Sequence, residues 1–305
     1  MLVDFTRWRV VWSALDHCLI RPRRVQRDPK DTMVPATEIG ECLDTVAGFP
    51  ILNQMAKIKT ISGTKEHKIV SEKEWLAARK ALLVKEKKFT RLRDQLNQQR
   101  RNLPWVRVEK EYVFDGPEGK ETLAELFGGK SQLIVYHFMF GPGWGEGCPH
   151  CSFWVDHYDA ALVHLHQRDT NLVLISRAPW KEIQKFQKRM GWKVPWVSSF
   201  RNDFNFELHV SYTPEEIKSG RQYYNYARVK MGIDDREGVS AFYKDAKGDV
   251  FHTYSAYARG IEMLNTTYHF LDLTAKGRDE NPDQPQDWVR HHDKYERRPS
   301  ECSCC

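Results

Sequence analysis

The sequence predicts a layered α/β domain, and three observations carry that prediction. Apolar runs of strand length alternate with segments of helical period, and turn and capping residues separate them. The composition is that of a globular core, with 41% hydrophobic, 12% aromatic and 29% charged residues in a chain of 305. The longest apolar run, QLIVYHFMF at 132–140, contains a histidine and is too short to cross a bilayer as a helix, so no membrane partner is expected.

Residues 1–70 carry little periodicity and have prolines at 22, 29, 35 and 50, so they read as a poorly ordered extension with one short helix over 6–15. Ser71 and Glu74 then make a capping-box pattern that opens one long helix over 71–101. On it Trp75, Leu82, Phe89 and Leu96 recur every seven residues, with Ala78 and Leu92 between them. Such a seam suits either a homodimer through helix 71–101 or packing on the helix's own domain. Lys85 and Gln99 interrupt it, which favours packing on the domain.

Pro104 ends the helix, and VRVEKEYVF (106–114) alternates as one strand. DGPEG (115–119) is a turn, and Thr122 caps a short helix LAELF before Gly128 and Gly129. The run 132–140 is a buried strand. After the loop that follows it, Trp154, Val155, Tyr158, Leu162 and Leu165 recur as one helix. NLVLIS (171–176) is another strand, and Pro179 opens a helix carrying Ile183, Phe186 and Met190 that Gly191 stops. Residues 192–210 are aromatic-rich and irregular, with Trp192 and Trp196 read as core or cleft wall. Thr213 starts a further helix, VSAFYKD and DVFHTYS flank AKG as a hairpin, and ARGIEMLNTTYHFL (258–271) is a last amphipathic helix. From Gly277 the chain is polar and rich in proline. The domain is therefore drawn as 71–277, with 278–305 a tail lacking a packed core.

The 47 basic and 41 acidic residues give a net charge of +6 but are spread along the chain, with no basic stripe and no zinc-finger or RNA-binding motif, so nucleic acid is not an expected partner. No GxGxxG, P-loop or GxSxG pattern occurs, and no cofactor is expected. The seven cysteines, at 18, 42, 148, 151, 302, 304 and 305, form no disulfide framework. That points to a reducing compartment and a cytoplasmic location, with a mitochondrial presequence as the alternative reading of the N-terminus. Ser303 and Cys304 are not aliphatic, so ECSCC reads as an exposed oxidisable tail rather than a prenylation box.

The loop GPGWGEGCPHC (141–151) holds the chemistry. A helix that begins at Cys148-Pro149 loses no needed donor at the proline, and it turns its unpaired amides toward Cys148. Those amides favour a thiolate, and Cys151, one turn along, can resolve a mixed disulfide formed at Cys148. His150 further favours the thiolate. Cys148 is thus read as nucleophile and Cys151 as resolving thiol, serving an unidentified thiol or disulfide substrate and a cellular thiol reductant. Trp144 and Pro149 are cleft candidates, Glu146 is a candidate acceptor of the resolving proton, and Arg177 is a candidate anion ligand. The alternatives are a noncatalytic interaction module, or a zinc site borrowing from His150, His157, His164, His166 or the terminal cysteines.

The segments EWLAARKALLVKEK, LPWVRVEKEYVFDGPEGK, QLIVYHFMFGPGWGEGCPHCSFWVDH, LVLISRAP, RMGWKVPWVSSF and YARGIEMLNTTYHFLDLTAKGRDE resemble the domain of unknown function 899 family across roughly residues 70 to 280. The resemblance implies a thioredoxin-like fold, a central mixed sheet flanked by helices and preceded by the long helix. It also implies a dithiol-disulfide oxidoreductase with Cys148 and Cys151 as its redox pair. Gly238-Val239-Ser240 precedes AFYKD where thioredoxins carry a proline, and Gly145 stands where peroxiredoxins carry a threonine.

Overall fold

The computed structural model describes residues 67–296; the expectations for 1–66 and for the cysteines at 302, 304 and 305 lie outside the described residues. Helix α1 (Glu72–Arg101) begins with the anticipated box, in which Glu74 N donates to Ser71 Oγ at 3.3 Å and Ser71 N to the Glu74 carboxylate at 3.0 Å. Its apolar seam does not pack on the domain as expected. No residue of α1 is buried, and Trp75 and Phe89 are 58% and 65% exposed. Arg100, near its end, stacks on the Tyr254 ring at 4.6 Å.

β1 (Val106–Arg107) and β2 (Val113–Gly116) come next, and Pro117 and Glu118 turn β2 into β3 (Gly119–Thr122), a strand the sequence reading missed. Thr122 and Glu125 exchange reciprocal bonds and start the tight helical turn Glu125–Phe127, which Gly128 closes in the left-handed region. β4 (Gln132–His137) leads through the glycine-rich loop into α2 (Pro149–Val155) and α3 (Tyr158–His166). These are two helices where one was expected. The break falls at Asp156, whose carboxylate accepts from Trp192 Nε1 at 2.8 Å and meets the His292 ring at 2.6 Å.

β5 (Thr170–Ser176) and α4 (Trp180–Met190) fall where periodicity placed them, with Gly191 closing α4 at φ 69°. The segment read as irregular contains β6 (Trp196–Ser198) and α5 (Phe204–Glu207), which are too short to show a period. A second capping box, Thr213 with Glu216, starts α6 (Pro214–Ser219), and the small hairpin β7 (Gln222–Tyr224) and β8 (Ala227–Val229) follows. The foreseen hairpin is β9 (Gly238–Lys244) and β10 (Val250–Tyr257). The last helix divides into a tight turn, Ala258–Leu264, and α7 (Thr266–Leu271), because the Asn265 side chain accepts Tyr268 N at 3.0 Å and caps a new start.

The sheet order is β1-β10-β9-β4-β5-β6-β2-β3. This explains why 106–114 is not one strand: β1 joins β10 at one edge and β2 joins β6 near the other, so the chain between them crosses the sheet. β4, β5 and β6 run parallel, with the α2–α3 crossover between the first two, and β9 and β10 close the other side antiparallel. That is the thioredoxin-like arrangement.

Side chains alternate across the central strands and build two cores. Tyr136, Leu172 and Leu174 face α2, α3 and α4, while Leu133, Val135, Val173 and Ile175 face Phe127, Phe204 and Phe242 on the opposite side. The segment after 277 is not the unpacked tail expected from its composition. Val289 and His291 are 1% and 2% exposed and dock against the α2 face. Among the described residues no helix is long and apolar enough to cross a membrane.

Ile175 is fully buried at the sheet centre, so Ile175→Ala is expected to lower the unfolding free energy by about 2–5 kcal/mol. By contrast Phe89→Ala on α1 is expected to change it by less than about 0.5 kcal/mol. Urea denaturation of both variants checks this; a large loss from Phe89→Ala would mean that α1 is covered in solution.

Candidate dithiol site

One residue of the loop after β4 holds both cysteines. Met139 O accepts the amide of Cys148 at 3.0 Å, and Met139 N donates to Cys151 Sγ at 3.4 Å. The loop is itself pinned to β5: Phe138 N donates to Ile175 O at 3.0 Å, Ser176 Oγ to Phe138 O at 2.7 Å, and Ala178 N to Phe140 O at 2.7 Å. Gly147 lies so close to the core that a β-carbon there would fall 2.5 Å from the Phe138 ring and 2.8 Å from that of Phe186. Cys148 caps α2, Pro149 takes its first position, and Ser152 Oγ donates back to Cys148 O at 2.9 Å.

The two thiols differ sharply in surroundings. Cys148 is half-buried and its thiol is held well below the ordinary range, chiefly by a hydrogen bond from the Cys151 thiol. Burial opposes this, and His150 adds a second stabilising hydrogen bond. The amide of Cys151 contributes less, so the helix amides are not the leading cause that the sequence suggested. Cys151 is 2% exposed, and burial pushes its thiol well above the ordinary range, followed by its hydrogen bond to Cys148 and then the Cys148 charge. His150 is raised, first by its bond to Cys148, and its Nε2 lies 3.3 Å from Gln286 O.

Three residues near the pair were not anticipated. Tyr136 and Tyr158 are buried beside Cys151, with ring centroids 5.5 Å apart; the Tyr158 hydroxyl has no hydrogen-bond partner, and that of Tyr136 has only the Cys151 thiol. Burial raises both phenols, and the charge of Cys151 is the next cause for each. Glu237, just before β9, lines the same cavity as Cys151 and raises its thiol further. The face on which Tyr136 lies follows from strand alternation, but a phenol in an apolar run reads as core. Glu237 offers no pattern at all.

The other sequence candidates fall elsewhere. Trp144 is a turn aromatic laid over Gly141, where a β-carbon would stand 2.7 Å from its indole nitrogen. Arg177 is engaged with buried Asp235 at 2.6 Å and with Asp234 at 3.1 Å, so it is not a free anion ligand. Glu146 is not a proton acceptor for Cys151. Lys294 and Arg189, both at 2.7 Å, hold its carboxyl down to about 2. Among the described residues no group of three or more His, Cys, Asp and Glu converges in a way that could hold a metal ion.

Glu146 instead anchors the segment 278–296, which forms a strap across the site. Arg189 joins Glu146 to Asp293 through a bond of 2.8 Å, and His291 Nε2 donates to Gly147 O at 2.8 Å. Trp288 Nε1 and Tyr268 OH both donate to Glu280 at 2.8 Å, and the Trp288 ring meets Phe153 edge-on at 5.3 Å.

The family described as "Bacterial protein of unknown function (DUF899)" matches residues 64–295, strap included. The chain belongs to this family. No curated protein matches it. Among solved structures it is similar to the Mycobacterium tuberculosis peroxidoxin BcpB, with 12% identity over 53% of this chain and 94% of that one at a TM-score of 0.36. It is similar also to a cysteine-to-serine mutant of Xanthomonas campestris peroxiredoxin Q, with 14% identity, 52% and 89% coverage and a TM-score of 0.35. A yeast mitochondrial 1-Cys peroxiredoxin shows 17% identity, 56% and 78% coverage and a TM-score of 0.32. At these values the likeness says nothing about activity.

The strap has a pH dependence whose sign follows from Glu146. Its folded value lies below the unfolded one, so its stabilisation is complete above about 4.5 and is lost as pH falls through about 2. Hydrogen exchange of amides in 286–295 should therefore lose protection across that window, and Glu146→Gln should lose it already at neutral pH. Unchanged protection in the variant would show that the latch lies elsewhere.

Proposed function

We propose that the protein is a thiol-disulfide oxidoreductase in which Cys148 is the nucleophile and Cys151 the resolving thiol. The observation that carries this reading is the placement of two thiols one helical turn apart, half-buried Cys148 at the start of α2 and buried Cys151 against the Met139 amide. The downward displacement of the first thiol and the upward one of the second agree with it. A thiolate at Cys148 attacks one sulfur of a disulfide substrate and expels the other as a thiolate. Cys151 then gives up its proton and attacks the Cys148 sulfur, releasing the second half of the substrate and leaving a Cys148–Cys151 disulfide. Two electrons pass to the substrate, and an external thiol reductant restores the dithiol. His150 keeps the Cys148 thiolate populated, and the amide of Met139 is placed to stabilise charge that develops on Cys151.

A second reading, an interaction module, draws support from α1, whose seven-residue seam is uncovered along its length. It concerns a different face, and both can hold.

The rate of Cys148 alkylation by iodoacetamide, followed against pH, is expected to have a midpoint below that of an ordinary thiol, and His150→Ala to move it upward. A midpoint at or above the ordinary thiol value would remove the activated nucleophile. With Cys151→Ser, a substrate half should remain covalently attached to Cys148.

A further inference from the structure

The strap walls one side of a partly open cavity of about 610 Å³ that reaches the dithiol at Cys151, a size typical of small-molecule sites. Tyr136, His150 and Cys151 are among its lining residues, and Cys148, just behind that lining, has its sulfur hydrogen-bonded to the latter two. On the strap side Pro282, Pro285 and Gln286 complete the wall. From this walled cavity beside Cys151, and resting on the redox reading above, we infer that the cavity binds a small zwitterionic disulfide of the amino-acid type and excludes disulfides of folded proteins.

The charges of the lining select the class. Three guanidiniums, Arg236, Arg259 and Arg278, stand with three carboxylates, Glu237, Glu262 and Glu280, so neither sign dominates. Most of these groups are spoken for. Glu262 holds Arg259 at 2.9 Å and Arg278 at 3.4 Å, while Glu280 accepts from Tyr268 and Trp288. Arg236 and Glu237 are the least engaged, and they touch only at 3.9 Å. Arg236 stacks on the Tyr224 ring with its Nε buried and lacking a hydrogen-bond partner, and Glu237 accepts from Tyr224 OH through one oxygen and keeps the other, Oε2, without a hydrogen bond. This pair, in the lining of the same cavity as Cys151, offers a guanidinium to a carboxylate and a carboxylate to an ammonium, the two charges of an amino acid.

Two further observations agree with a small ligand. The Tyr136 hydroxyl is a buried donor in the cavity wall with no oxygen or nitrogen acceptor, only the sulfur of Cys151 beside it. A folded protein would have to bring two backbones about 5.5 Å apart up to the reacting sulfurs. The strap occupies that approach, with Gln286 O against the His150 ring and Trp288 wedged on Phe153.

The reaction balances as one disulfide plus the enzyme dithiol giving two substrate thiols plus the enzyme disulfide. It is tested in a single turnover of the pre-reduced full chain, scored by loss of alkylatable Cys148 and Cys151. Three oxidants are compared, each relative to its rate with free dithiothreitol: cystine, uncharged 2-hydroxyethyl disulfide, and insulin. Cystine is expected to react at least about tenfold faster than the uncharged disulfide, the difference expected from one charge-assisted contact, and insulin not to react. Arg236→Gln is expected to remove the cystine advantage and leave the 2-hydroxyethyl disulfide rate unchanged. Equal normalised rates for the two small disulfides would overturn the charge recognition, and oxidation by insulin would overturn the exclusion, while either leaves the redox reading standing. If no disulfide oxidises the pair, the redox reading itself falls and this inference with it.

Discussion

The structure depends on a single stretch of backbone, residues 138–140, which runs on from β4 and is tied at Phe138 and Phe140 to β5 and the residues just after it. Met139, held between these ties, spends its carbonyl on Cys148 and its amide on Cys151. The centre of the sheet is thereby coupled directly to the dithiol. The backbone of Cys148 and the sulfur of Cys151 are thus both tied to a core whose β4 and β5 side chains are mostly buried. Gly147 follows from the same constraint, because the loop must pass too close to Phe138 and Phe186 to admit a side chain.

The asymmetry of the two thiols is a consequence of this placement. Cys151 sits at the third residue of α2 with its side chain turned into the phenols of Tyr136 and Tyr158, so desolvation dominates there. Cys148 lies at the mouth of the helix, where a thiol donor and an imidazole both favour the charged form against a smaller burial effect. The sulfur that stays neutral is the one whose hydrogen bond stabilises the sulfur that ionises.

The strap adds a second layer. Its docking rests on buried Val289 and His291, with an outer set of ion pairs around Glu146, Arg189, Asp293 and Lys294. The exposed pairs are individually worth little, but Arg189 and Glu146 each serve two partners, which makes them a network rather than isolated bridges. The strap also shapes the surroundings of the dithiol, forming one wall of a partly open cavity that Cys151 lines.

Local chemistry made much of this chain legible before folding. The capping boxes at Ser71 and Thr213, the stop at Gly191, the apolar strands around Val135 and Val173, the β9–β10 hairpin and the Cys148-Pro149 helix start all depend on residues within a few positions of one another. Short-range geometry of that kind is written in residue order. What only the tertiary structure decided was contact between distant segments. It split 106–114 between two sheet edges and made β6 a strand through its pairing with Leu174. It left the α1 seam bare, drew Arg177 onto Asp235, and laid a proline-rich, aperiodic segment over the dithiol through a few isolated anchors. Periodicity reports which face of an element is apolar; it carries no information about which partner, if any, will cover that face.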